Sequence, residues 1–201
     1  MVIEQMITIL SIIVPVLFIL AYTPQLITTY KTKNATGVSK LFWFLVSLST
    51  LYSLLNVLKT GNAEWYTYFG QFINAGIAFL LVIWINKIKS DLANSLIITV
   101  LYSTIALCLY FLVNLEVSQT IATIAILLAY VDQIGHFIRS KDSTGTNPLL
   151  FVIFAIGLVL LITIMLFTGV SLHIIGTECT NVILLIICAF LSKKYLKKSK
   201  K

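Results

Sequence analysis

The sequence predicts an all-α membrane protein with seven transmembrane helices, in which two parallel three-helix repeats flank one linking helix (a 3+1+3 arrangement). Three observations predict this fold class. Of the 201 residues, 59% are hydrophobic and 10% charged, with a mean hydropathy of +1.02. The basic residues fall almost entirely on one side of the predicted membrane, and the chain resembles itself at a spacing of 108 residues.

The first three apolar segments lie at 6–30, 40–58 and 65–86. Each approaches the roughly twenty residues that a bilayer core demands, and each is predicted to be helical because lipid offers no partner to an unpaired backbone group. The first segment follows Glu4 instead of a basic stretch and is too long for a cleaved signal, so we expect it to remain a membrane span. Together they form the first predicted repeat, 1–90.

The fourth segment, 94–113, is predicted as a linking helix within a unit at 91–115. It has no counterpart elsewhere in the chain and almost lacks strongly polar residues. Three helices are an odd number, so one extra crossing is needed if both repeats are to have the same orientation. The fourth segment supplies that crossing.

The last three segments lie at 118–138, 147–167 and 171–191, within a second predicted repeat at 116–192. A basic tail follows at 193–201. The three cysteines all fall inside apolar runs, which favours buried thiols over a disulfide framework; they are Cys108, Cys179 and Cys188.

The charge distribution predicts the orientation. Thirteen of the fourteen basic residues fall on one side of the predicted spans, and only Lys59 lies on the other. Positive residues concentrate in cytoplasmic loops, so we expect a multi-pass protein of the cell membrane with its N-terminus outside and its C-terminus in the cytoplasm. The net charge of +7 then reflects topology and contact with anionic lipid, and no nucleic-acid partner is expected.

The internal repeat is clearest where residues 20–37 align with residues 128–145 without a gap. Seven of the eighteen positions are identical, including a tyrosine, a glutamine and a glycine, and Thr60–Gly61 aligns with Thr168–Gly169. Repeats of this kind occur in transporters, whose solute site lies between the repeats near the bilayer midplane.

The first repeat carries a recognisable motif. Tyr22, Pro24 and Gln25, followed by residues 32–39, resemble the signature of the PQ-loop family, which includes the SWEET and SemiSWEET sugar transporters. The second copy is degenerate, because Asp132 replaces the proline while Gln133 remains. Gln25 and Gln133 are expected to be structural or gating residues.

The resemblance also implies a binding site. Asn74 resembles the family's third-helix asparagine, and Asn181 lies at a similar depth in the seventh span. In SWEET proteins such a pair binds solute hydroxyls, and Ser53 matches a second-helix pocket residue. Gln71 and Glu178 each lie three residues before an asparagine, so the four polar side chains of the two spans are expected to line one cavity. The alternative is a hydrogen bond between helices.

Pro24 removes a backbone donor inside the first span, so it predicts either a gating hinge or a static kink. Asp132 and Glu178 are acids inside predicted spans, where an ionised carboxylate is costly unless paired, hydrated or protonated. Both are therefore candidates for proton coupling. An internal pair of Asp132 with His136 or Arg139 is an equally good interpretation.

These features together predict a carrier of a small polar solute, most simply a sugar, that works by alternating access. Vitamin, nucleoside or amino-acid carriers, with or without proton coupling, are alternatives within transport. A receptor resembling the KDEL receptor is an alternative of another class. No metal, cofactor or catalytic set is indicated, so we expect no enzyme; a homo-oligomer is compatible with the sequence.

Overall fold

The structure, a computed structural model, describes residues 2–61, 63–90 and 92–199, and these form seven α-helices. The helices are α1 Val2–Thr32, α2 Lys40–Thr60, α3 Trp65–Lys89, α4 Leu92–Leu112, α5 Leu115–Ser140, α6 Pro148–Phe167 and α7 Leu172–Ser199. All seven are long and apolar enough to cross a membrane. The predicted all-α fold with seven spans is therefore confirmed, and each predicted segment coincides with one helix.

The main differences from the predicted segments lie at the two chain ends. α1 begins at Val2 and α7 continues to Ser199, so most of the predicted tail at 193–201 is helical. Hydropathy ends the last segment at residue 191, but lysine is a good helix former and the helix continues beyond the apolar run. Lys200 and Lys201 lie outside the described residues. The predicted unit boundaries remain predictions.

Local sequence signals fix several helix ends. Ser39 caps α2 by accepting a hydrogen bond from the backbone of Phe42. Asn147 caps α6 by accepting one from Leu149, and a proline occupies the first turn, where its missing N–H costs nothing. α2 ends at Gly61, whose φ of 70° is the left-handed conformation that glycine adopts without strain.

The helices pack in a pattern with two-fold pseudo-symmetry. α3 packs against both α1 and α2, and α7 packs in the same way against both α5 and α6. The two groups meet where α1 packs against α6 and α2 packs against α5. Exchanging the first, second and third helix of one group with those of the other leaves this pattern unchanged.

α4 lies at the edge of the bundle, against α2 and α3. Two tyrosine hydroxyls connect it to α2, since Tyr52 donates to the carbonyl of Ala106 and Tyr102 donates to that of Phe44. These bonds satisfy polar groups that lipid would leave unpaired. The other six helices enclose the main core, which is rich in aromatic residues such as Trp43.

Candidate functional site

A cavity of about 180 Å³ lies between the two groups of helices. Six helices contribute to its lining, and α4 does not. Half of the lining residues are aromatic or carry a side-chain amide, and most of the others are aliphatic or carry a hydroxyl group. Such a cavity, mostly apolar with a few polar groups, is typical of binding sites for small molecules.

The five residues predicted from the sequence to bind solute all line this cavity; they are Ser53, Gln71, Asn74, Glu178 and Asn181. Asn181 donates a 3.0 Å hydrogen bond from its amide nitrogen to Oε2 of Glu178. This is a bond within one helix, so it differs from the helix-to-helix bond that was the alternative interpretation of the asparagines.

Several polar atoms of the lining residues have no hydrogen-bond partner among the described residues. They include the side-chain oxygens of Gln71, Asn74 and Asn181, the hydroxyl of Tyr22 and the indole nitrogen of Trp43. Buried polar atoms are nearly always paired in folded proteins. A polar molecule in the cavity would supply the missing partners.

The polar positions in the two repeats correspond closely. Gln71 and Asn74 in α3 occupy the places of Glu178 and Asn181 in α7, with a spacing of 107 residues instead of 108. The loop before α7 is one residue shorter than the loop before α3, counted from the matching glycines Gly61 and Gly169. One pair is neutral and the other carries a carboxylate.

The sequence analysis did not assign aromatic residues to the site. Tyr22 and Tyr130 both line the cavity and are separated by 108 residues, and so are Trp43 and Phe151. The tyrosine identity was visible in the aligned repeats, but an aromatic residue on an apolar helix is more often a core residue. Only the packing distinguishes the two roles.

A second cavity, of about 200 Å³, adjoins the first and shares Gln71 and Asn74 with it. Its other lining residues include Ser11 and Pro15 in the N-terminal half of α1 and Thr67 at the start of α3. The cavities together therefore extend from the middle of the bundle towards the end that holds the N-terminus of α1. We call this the N-terminal end.

The other end, which holds the α1–α2 and α5–α6 loops, is closed by two buried glutamines. Gln25 in α1 donates from Nε2 to the carbonyl of Gly145 at 2.7 Å, and its Oε1 accepts from the backbone N–H of Asn147 at 2.9 Å. Gln133 in α5 donates to the carbonyl of Gly37 at 2.9 Å and accepts from the N–H of Ser39 at 3.0 Å.

These hydrogen bonds, which we call the closing network, run between the repeats. Each glutamine binds the loop of the other repeat, and each pair of equivalent partners is separated by 108 residues. The spacing found in the sequence therefore reappears in the hydrogen bonds.

A comparison with known families agrees with this geometry. The family model described as "PQ loop repeat" matches residues 6–65, which cover α1, α2 and the loop between them. This part of the chain is similar to a PQ-loop repeat. Proteins of the PQ-loop family are transporters or receptors, and the seven long apolar helices of this chain indicate a multi-pass membrane protein. No curated protein and no solved structure matches the chain significantly.

The PQ motif itself is part of the closure. α1 continues as a helix through Pro24, whose carbonyl accepts a 3.3 Å hydrogen bond from the side-chain nitrogen of Asn147. In the second repeat, the carboxylate of Asp132 accepts a hydrogen bond from the hydroxyl of Ser39. Position 132 is equivalent to position 24, and position 39 to position 147, so the degenerate motif preserves the contact between repeats.

The hydrogen bond from Ser39 is relevant to the two roles predicted for Asp132, namely proton coupling and an internal pair with His136 or Arg139. Asp132 does not line the cavity, and Nε2 of His136 lies 2.8 Å from the carbonyl of Thr36 instead of reaching the carboxylate. Asp132 and His136 therefore both contact the α1–α2 loop. Their part in proton coupling remains a prediction.

A carboxylate in the α5–α6 loop adds to the closing contacts. Asp142 accepts hydrogen bonds from the hydroxyl of Thr36 at 2.8 Å and from the N–H of Thr144 at 2.7 Å. Partial burial acts to raise the pKa of Asp142, but the hydrogen bonds from Thr144 and Thr36 and the nearby His136 outweigh it and lower this pKa below its usual range.

Proposed function

We propose that this protein carries a small polar solute, with a sugar as first choice, across the membrane by alternating access around the central cavity. The position of the cavity carries the proposal. It lies between two pseudo-symmetric groups of helices, adjoins a second cavity towards the N-terminal end and is separated from the other end by the closing network. Rocking one group against the other would reverse this access.

The chemistry of the lining supports a sugar. The amides of Asn74 and Asn181 both accept and donate hydrogen bonds, as sugar hydroxyls do, and two further polar atoms belong to Tyr22 and Trp43. The resemblance to SWEET proteins assigns the asparagine pair the same role. In this proposal Pro24 and the two PQ-loop glutamines belong to the gate.

The aromatic lining favours a second candidate, a ring-bearing solute such as a vitamin or nucleoside. Tyr22 and Phe154 meet edge to face at 5.0 Å, and Phe42 and Trp43 do the same. Rings of this kind can pack against a planar solute. Amino-acid transport, with Glu178 or Asp132 as proton carrier, is a further alternative within transport.

The receptor hypothesis has less support. A receptor for an anionic peptide tail needs basic groups in its cavity, whereas the described lining residues include Glu178 and no lysine, arginine or histidine. Helices of one chain line the cavity, so the proposed transport does not require a second subunit. A homo-oligomer remains compatible with this proposal.

The test is uptake of labelled sugars, nucleosides and amino acids into proteoliposomes, with and without an inward proton gradient. For Asn74→Ala we expect up to about a tenfold fall in kcat/KM, because one hydrogen bond to a polar ligand contributes about 0.5–1.5 kcal/mol. Uptake of a sugar that is saturable and independent of the gradient would support the proposal.

Asn56→Ala is the matched control. Asn56 is also a buried asparagine within a span, but it accepts a 2.8 Å hydrogen bond from Ser118 and does not line the cavity. We expect this variant to lose stability without a change in KM. Equal effects of both variants on KM would contradict a solute-binding role for Asn74, and gradient-driven uptake of a different solute would contradict the choice of sugar.

A further inference from the structure

The two repeats present the same asparagine but a different neighbour to the cavity. Gln71 precedes Asn74 by three residues and is neutral, whereas Glu178 precedes Asn181 by three residues and carries a carboxyl group. Both line the cavity, and no basic side chain is among its described lining residues. The pseudo-symmetry of the site is therefore broken by one carboxyl group.

The described part of the protein supplies a hydrogen bond to only one oxygen of the Glu178 carboxyl group. Oε2 of Glu178 accepts the hydrogen bond from Asn181, and Oε1 accepts none from the described residues. A carboxylate at membrane depth is costly unless it is paired, hydrated or protonated. A positively charged group on a solute would complete the pair.

The surrounding groups suit a cation that also carries hydroxyls. Tyr130 and Trp43 line the cavity together with Glu178, and the faces of tyrosine and tryptophan rings attract ammonium groups. The unpartnered oxygens of Asn74 and Asn181 are acceptors and require donors from the solute. Ammonium N–H and hydroxyl O–H groups are both donors.

We propose that the cavity selects a hydroxylated solute with a primary ammonium group, that is, an amino sugar. Its ammonium group binds the carboxylate of Glu178 beside Asn181, and its hydroxyls bind the amides of Gln71 and Asn74. This inference rests on the proposed function as a sugar carrier, and it makes Glu178 the residue that determines specificity.

The test compares glucosamine, N-acetylglucosamine and glucose as substrates in proteoliposomes that contain the full chain. Acetylation removes the charge from the amine while the sugar ring is kept. For the wild type we expect kcat/KM for glucosamine to exceed that for either neutral sugar at least about tenfold, the size of a modest charge-assisted hydrogen bond. In Glu178→Gln we expect kcat/KM for glucosamine to fall to about that for glucose, so that the preference disappears.

Two further variants keep the result interpretable. Glu116→Gln removes an exposed acid in the first turn of α5, outside the cavity, and should preserve the preference. The double variant Gln71→Glu with Glu178→Gln moves the charge to the equivalent place in the first repeat, and should restore a preference for glucosamine. A restored preference would also show that Glu178→Gln does not prevent folding, because the double variant contains the same substitution.

The outcomes separate the two proposals. Saturable glucose uptake without any preference for glucosamine overturns the amino-sugar inference and leaves the sugar carrier standing. The amino-sugar inference is also overturned if glucose uptake depends on the proton gradient in the wild type but not in Glu178→Gln. In that case Glu178 carries a proton. Absence of saturable uptake for all three sugars overturns the sugar carrier itself.

Discussion

At the scale of single residues, the two buried glutamines have clearer roles than the sequence suggested. The sequence predicted only that Gln25 and Gln133 are structural or gating residues. Both bind backbone groups, and these groups belong to the loop of the opposite repeat. Each glutamine therefore joins the repeats at one end of the bundle.

Replacing both glutamines by leucine should weaken the closure. Leucine is similar in size but leaves buried N–H and C=O groups in both loops unpaired, which costs about 1–3 kcal/mol for each unsatisfied group. We expect a lower Tm and faster amide hydrogen exchange in residues 33–39 and 141–147, measured by mass spectrometry.

Gln119→Leu provides the control for this prediction, because Gln119 is exposed on α5. It should change neither the Tm nor the exchange of the loops. Unchanged loop exchange in the double variant would show that the glutamines do not hold the closure.

Asp142 predicts a dependence on pH. A carboxyl group whose pKa is lower in the folded state stabilises that state at pH values above its unfolded pKa, and the stabilisation is lost as pH falls through the folded pKa. Asp142→Asn should therefore lower the Tm at neutral pH and have a smaller effect in acid. A Tm difference that stays constant from neutral to acidic pH would contradict this.

At the scale of elements, the two loops of the closing network approach so closely that side chains do not fit between them. A Cβ atom at Gly37 would lie 2.3 Å from Cα of Ser143, and one at Gly145 would lie 2.1 Å from the carbonyl oxygen of Asn34. Gly145 also has a φ of 90°, which other residues rarely adopt. The loops therefore close the bundle by direct backbone contact.

Gly145→Ala should separate these loops. Both the clash and the positive φ oppose alanine, so we expect a destabilisation of more than about 1 kcal/mol. Thermal unfolding and the reaction of an introduced cysteine at Ser39 with a soluble maleimide would measure the two effects.

Gly76→Ala is the matched control, since no atom lies within 4 Å of the added Cβ. It should leave stability and labelling unchanged. Equal labelling of Ser39→Cys in both glycine variants would contradict a closure made by the loops.

At the scale of the whole molecule, the distribution of charge predicts how the protein lies in the membrane. A C-terminal green fluorescent protein should fluoresce, and a C-terminal alkaline phosphatase should be inactive, because the basic side is expected to face the cytoplasm. Phosphatase fused after Glu64, at the start of α3, should be active. The reverse pattern of activities would show that the orientation is inverted.

Most of the fold was predictable because membrane helices depend on long apolar runs, which sequence displays directly. Only the helix ends at Val2 and Ser199 differed substantially, since charged residues can extend a helix beyond the apolar run. The polar lining was predictable for a similar reason: polar groups such as Asn74 and Glu178 are rare in spans and therefore conspicuous.

Other parts of the site were not predictable from the pattern of polar and apolar residues in the sequence. Tyr22 and Tyr130 are ordinary residues for an apolar helix, and their shared cavity depends on how distant helices pack. The bond between Ser39 and Asp132 was missed because it joins positions 93 residues apart. Spacing along one helix had favoured His136 and Arg139 as partners instead.

The crossed arrangement of the closing network has a kinetic consequence. Each glutamine belongs to one repeat and its partners to the other, so the repeats cannot separate at this end while any of these bonds stays intact. If this end opens in the proposed transport cycle, these contacts break together and re-form together. Such a gate would dwell in two discrete states and pass abruptly between them, and its opening rate would rise steeply with temperature because the whole set of bonds is broken in a single step.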